Sequence, residues 1–202
     1  LLGAAQATTI YTGTISLSAS DPTQMGRLVR GGVAQDWTGG ETYPGINNLD
    51  LSLHYQTIDL DLGALESSYA SFGGYIQISF DSVTTYTFLS AYLGSYDPSS
   101  KSSNWLGDAG FSGNDWGVNP LFFQVQVSSG SHLILLLNET FPDAGLGLTG
   151  TVTVEAFTDT SYTDLVLVSS VPEPQTWAML LGGLGLLPVL KRRRAAASRA
   201  AS

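Results

Sequence analysis

The chain has 202 residues, of which 43% are hydrophobic, enough to bury a substantial core and to exclude a disordered polymer. Only 12% are charged and the net charge is −9, which argues against binding to the phosphate backbone of nucleic acid. With no cysteine, disulfides, thiolate zinc sites and cysteine nucleophiles are all excluded.

In chain order, Leu1 to Ala7 closes on Ala5-Gln6-Ala7, a small-x-small pattern that fits the last part of a signal peptide and would put the mature start at Thr8, with an ordinary apolar first strand as the competing reading. Residues 8–170 then lack long stretches of helical apolar period, and period-2 alternation recurs instead. Tyr11, Ile15 and Leu17 share one parity. Asp21 to Asn48, punctuated by Asp21-Pro22, Gly31-Gly32, Gly39-Gly40 and Pro44-Gly45, predicts a long irregular loop. Leu49, Leu51, Leu53 and Tyr55 alternate, and the parity then flips to Ile58, Leu60 and Leu62, which predicts a bulge or turn near Gln56-Thr57. Ile76 to Phe80 and the doubly apolar run Thr85 to Leu93 follow. Leu121 to Val127 and His132 to Leu137, joined by Ser128-Ser129-Gly130-Ser131, predict a hairpin. Val152 to Ala156 and Leu165 to Val168 bring the total to about nine candidate strands. The predicted fold is all-β: an antiparallel β-sandwich or jelly roll filling residues 8–170.

The C-terminal end changes character. Residues 8–171 carry 16 acidic residues against Arg27, Arg30 and Lys101, whereas residues 172–202 carry Glu173 against five bases. Val171-Pro172-Glu173-Pro174 holds the backbone extended, as a protease or transpeptidase cleft requires. An apolar Leu/Gly-rich run, Trp177 to Leu190, follows, and Lys191-Arg192-Arg193-Arg194 forms a basic stop that stays cytoplasmic. The 14-residue run reaches roughly 21 Å as a helix against a hydrocarbon core near 30 Å. Its predicted transmembrane extent, about residues 176–190, therefore reads as a temporary stop, with residues 195–202 as a disordered tail.

This order over residues 171–194 resembles the PEP-CTERM sorting signal of exopolysaccharide-producing Gram-negative bacteria. The resemblance implies recognition and cleavage near Pro172-Glu173-Pro174 by an exosortase, a membrane-embedded cysteine transpeptidase-like enzyme. It also implies a precursor held in the inner membrane facing the periplasm, with delivery to the cell surface or biofilm matrix. The middle is similar to other PEP-CTERM ectodomains, and residues 55–137 loosely resemble the pre-peptidase C-terminal β-sandwich module of secreted bacterial proteins.

Within the β domain, the segment Tyr96 to Pro120 gathers Asp97, Asn104, Asp108, Asn114, Asp115 and Asn119. Hard oxygens in a Gly-containing loop suit calcium, and Asp97, Asp108, Asn114 and Asp115 are the expected ligands, although no EF-hand or nonapeptide spacing is present. Solvated turn residues are the competing reading. Trp37, Trp105 and Trp116, with Phe111 and Tyr43, could stack on sugar rings or anchor core and loops. His54 and His132 read as surface residues, and Asp59 and Asp61 as the outward face of a half-buried strand. Asn138-Glu139-Thr140 is a formal glycosylation sequon of little weight in a bacterial setting. Gly-x-Ser-x-Gly, His-Glu-x-x-His and Walker signatures are absent. The expectation is a non-enzymatic surface or matrix protein, with calcium the one cofactor suggested and exopolysaccharide a partner. A carbohydrate-binding module and a polysaccharide-active hydrolase are the alternatives.

Overall fold

The computed structural model describes residues 7–31, 42–63, 75–113, 120–127 and 130–157, all within one compact unit. Among these described residues are the strands β1 (Ala7–Ser16), β2 (Thr23–Leu28), β3 (Ile46–Asp61), β4 (Tyr75–Ser82), β5 (Thr87–Leu93), β6 (Trp105–Asp108), β7 (Leu121–Gln126), β8 (His132–Glu139) and β9 (Thr149–Phe157). They form two antiparallel sheets, of order β1-β9-β4-β7 and β2-β3-β8-β5-β6. The pairs β1·β9, β3·β8, β4·β7 and β5·β6 nest one inside the next, which is the connectivity of a jelly roll. β2 is an addition that extends the edge beyond β3.

One face of each sheet supplies the core, as alternation requires. Ile76, Ile78 and Phe80 of β4, Phe123 and Val125 of β7, and Val152 and Val154 of β9 meet Leu60, Leu89, Leu133, Leu135 and Leu137 of the other sheet. Phe80 is fully buried opposite Val152, and its ring occupies the space where a side chain at Gly150 would be. A Cβ there would stand 2.3 Å from Phe80 Cε2 and 3.1 Å from the Asp81 carbonyl. Gly150→Ala is therefore expected to cost about 1–3 kcal/mol by overpacking, read as a lower urea midpoint at unchanged m-value. A shift near zero would mean that the Phe80 ring has room to turn aside.

Several expectations need correction. Leu121–Gln126 and His132–Glu139 do not form a hairpin, because β7 pairs with β4 in one sheet and β8 with β3 and β5 in the other. Both strands put apolar side chains into the same core from opposite sides, a pattern that alternation alone cannot distinguish from pairing. Nor does β3 break at Gln56-Thr57: its pairing with β8 runs without a shift from Tyr55 to Asp61. The parity flips because the strand buries opposite faces at its two places of cover. Ile58, Leu60 and Leu62 face the core, whereas Leu53 is fully buried on the outer side, opposite Gln24 of β2.

The register irregularity falls instead in the β2–β3 pairing, between Met25 and Arg27. Gly26 sits there at φ 70 with the Asn47 carbonyl 2.8 Å from where a Cβ would be. The predicted loop Asp21 to Asn48 thus contains β2, a polar edge strand whose Gly interrupts any alternation. The predicted loop Tyr96 to Pro120 likewise contains the short β6. Leu165 to Val168 lies outside the described residues.

Candidate functional site

The outer face of the five-stranded sheet carries an aromatic cluster. Tyr92 is fully buried there beside Ile134 and Leu136, and the β5–β6 connection folds back so that Tyr96 enters between Tyr92 and Tyr55. The ring centroids are 4.8 and 5.3 Å apart, both edge-on. The Tyr96 hydroxyl donates to Gln24 Oε1 of β2, joining the connection to the sheet edge. Trp105, partly buried, meets Tyr43 edge-on at 5.5 Å. Trp105 is thus a packing residue on this face, and Trp37 and Trp116 lie outside the described residues. Burial raises the Tyr92 and Tyr96 hydroxyls well above the ordinary phenol range and Tyr43 to about 12. Ser90 lies near enough to Tyr92 to ease that shift, but neither hydroxyl reaches hydrogen-bond geometry.

A cleft of about 650 Å³ opens beside this cluster, between the β2–β3 edge and the β5–β6 connection. Met25, Tyr43, Ile46 and Leu49 supply an apolar wall, Ser100 and Lys101 a polar one. Lys101 donates to the Pro98 carbonyl at 2.6 Å, and partial burial lowers its pKa while Asp97 opposes that.

The expected calcium residues have other engagements. Asp97 is exposed, and its Oδ1 accepts from the Ser99 hydroxyl at 2.7 Å and the Ser99 N–H at 2.8 Å, which hold its carboxyl below the usual range. Asn104, at φ 61, closes the same connection by donating to Ser95. Asp108 is buried in β6; its Oδ1 accepts from the Gly110 N–H at 2.8 Å, and burial pushes its pKa up to about 6 against that bond. Asn114 and Asp115 lie outside the described residues. Asp59 and Asp61 are exposed as expected, and Asp59 accepts from His132 Nδ1 at 2.7 Å, raising the His132 pKa.

The structure brings together a different set at the end of the sandwich where β8 runs into the β8–β9 loop. Glu139 continues the core parity of Leu133, Leu135 and Leu137, and it is fully buried. Its Oε1 accepts from the His54 N–H at 2.7 Å and lies 2.8 Å from His54 Nδ1, while Oε2 accepts from the Gly145 N–H at 3.2 Å. Asp143 Oδ1 comes within 3.8 Å of the same imidazole nitrogen. The loop is held over the site by Thr140 N–H to the Tyr86 carbonyl and Gly147 N–H to the Leu17 carbonyl. His54, at 16% side-chain exposure, is thus an inward-facing residue and not the surface residue expected; His132, at 47%, fits that expectation. The sequence signal for this set was the parity of Glu139: a carboxylate on the buried side of an apolar strand needs partners.

No known family model matches the chain, and no curated protein matches its sequence.

Proposed function

We propose that this chain is an exported cell-surface or extracellular-matrix protein, sorted and cleaved by an exosortase, with a jelly-roll ectodomain that acts without catalysis. The observation that carries the reading is the C-terminal order Pro172-Glu173-Pro174, apolar run, Lys191 to Arg194, following an acidic, lysine-poor β domain. Sorting of this kind calls for an extended cleavage segment, a transient membrane stop and a cytoplasmic basic cluster, and the Pro-Glu-Pro, the apolar run and the basic cluster of the sequence suit these three parts. A non-catalytic role is supported by the engagement of the carboxylates. Glu139 is buried and bound to two backbone N–H groups, Asp97 closes a turn, and Asp59 pairs with a histidine on an exposed face.

The test is mass spectrometry of the protein recovered from the surface of an exosortase-bearing host. The expected form ends near Pro172-Glu173-Pro174 and lacks Lys191 to Arg194, and deletion of the exosortase abolishes the truncation. A surface form that keeps the basic cluster overturns the proposal.

A carbohydrate-binding role is the second reading, favoured by the cleft beside Tyr43 and Lys101, where an apolar wall faces serine hydroxyls and an ammonium. Trp105, packed against Tyr43, would report binding through its fluorescence on addition of the producing strain's exopolysaccharide. An unchanged spectrum at saturating glycan removes this reading.

A further inference from the structure

We propose that His54, Glu139 and Asp143 form a binding site for a zinc-class divalent metal ion that ties the β8–β9 loop to β3. One ligand atom from each lies within 4.8 Å of the others, the one such His/Cys/Asp/Glu group among the described residues. Tetrahedral zinc with ligands at 2.0–2.1 Å separates its donors by about 3.3 Å. The separations at His54 Nδ1, 2.8 Å to Glu139 Oε1 and 3.8 Å to Asp143 Oδ1, lie on either side of that value. The widest separation in the group, up to 4.8 Å, exceeds that value by about 1.5 Å, and an inward turn of the exposed Asp143 side chain would close it.

The donors differ in burial in a way that suits a metal. Glu139 forms the floor, 0% exposed, His54 is 16% exposed, and Asp143 is 75% exposed at the lip. Access is from the Asp143 side, where a fourth position can hold water. The floor is oriented before any ion arrives, because backbone N–H groups of His54 and Gly145 hold the two Glu139 oxygens. Such outer hydrogen bonds fix a carboxylate's direction and raise metal affinity. Asp143 lies in the left-handed region at φ 59, a conformation that Asp and Asn tolerate better than most side chains.

One imidazole nitrogen with two carboxylate oxygens is a borderline donor set. It suits zinc or cobalt better than calcium, which takes six to eight oxygens. The ion replaces the His54–Glu139 hydrogen bond at Nδ1: one coordinate bond forms to Nδ1 and one to the Glu139 carboxylate, and the neutral ring carries its single proton at Nε2, exchanged there through solvent. No covalent or redox chemistry is involved.

The test uses the full chain purified in detergent, stripped with a chelator and titrated with cobalt(II), then zinc. Expected are visible d–d bands saturating at one equivalent, their loss on adding zinc, and a higher thermal midpoint with zinc. His54→Gln should abolish the bands, and Asp143→Asn, which keeps the loop conformation, should weaken binding roughly tenfold or more. His132→Gln, at the separate His132–Asp59 pair, should leave binding unchanged. Absence of cobalt bands, bands that survive His54→Gln, or a midpoint that rises with calcium but not with zinc would each overturn the assignment.

Discussion

Replacing Glu139 with alanine is expected to destabilise the domain by about 3 kcal/mol or more. The carboxylate is fully buried and accepts from two backbone N–H groups, on His54 and Gly145, as well as facing the His54 ring. Truncation leaves those donors without their acceptor where solvent does not reach, at about 1–3 kcal/mol each, and opens a void beside Leu17 and Tyr86, which contact the same loop. Glu139→Gln keeps one carbonyl acceptor and should lose about half as much. Urea unfolding of the two variants, compared at constant m-value, measures both. If Glu139→Ala costs less than about 1 kcal/mol, water enters this end of the sandwich and replaces the lost bonds. Glu139 is then not the anchor of the β8–β9 loop.

That residue also marks how far the sequence could be read. The core strands were legible because their apolar side chains recur every second residue: Ile76, Ile78 and Phe80, or Val152 and Val154, could occupy only one face. What alternation does not encode is partnership. β7 and β8 have the pattern of a hairpin, yet lie in opposite sheets, because in a jelly roll most successive strands cross between sheets and only the full set of pairings shows this. β2 escaped notice for a different reason. Its Gln, Gly and Arg have little strand character, and it is held by the edge of β3 and by Gln24, which accepts from Tyr96 72 residues away. The change of parity along β3 implies a bulge near Gln56-Thr57 only if a strand buries one face, whereas β3 buries its core side at Leu60 and its outer side at Leu53.

The candidate sites divide along the same line. Composition singles out the carboxylate-rich, aromatic-rich segment Tyr96 to Pro120, and composition cannot say that Asp97 folds back on Ser99 while Asp108 is buried in β6. His54 and Glu139 are 85 residues apart in the chain and meet because the β2–β3 and β3–β8 pairings place them at one end of the sheet. No local spacing rule reaches across such a separation.

Asp108→Asn is expected to stabilise the protein by up to about 3 kcal/mol at pH 8 and by nearly nothing at pH 3.5. The sign follows from burial. In β6 the carboxyl titrates at about 6, above its ordinary value of 3.8, because the enclosing side chains of the outer face disfavour the charge more than the Gly110 N–H favours it. A raised carboxyl pKa means that the folded state holds its proton more tightly than the unfolded state. This group therefore costs nothing below about pH 4, and its cost grows as pH rises from there through 6 and then levels off. At 1.36 kcal/mol per pH unit, the interval between the two values amounts to about 3 kcal/mol. Asparagine retains an oxygen for the Gly110 N–H and carries no charge, so it removes the cost while keeping the bond. Urea midpoints of wild type and variant should coincide in acid, diverge between pH 4 and 6 and run parallel above. Taking their difference cancels other groups that titrate in that window, including the depressed Asp97. A gap that is the same at every pH would show that Asp108 titrates in the folded protein as it does in the unfolded chain. The fully buried Tyr92 and the partly buried Tyr43, whose own pKa values are raised in part by Asp108, would then have to sit beside a carboxylate that is ionised at neutral pH.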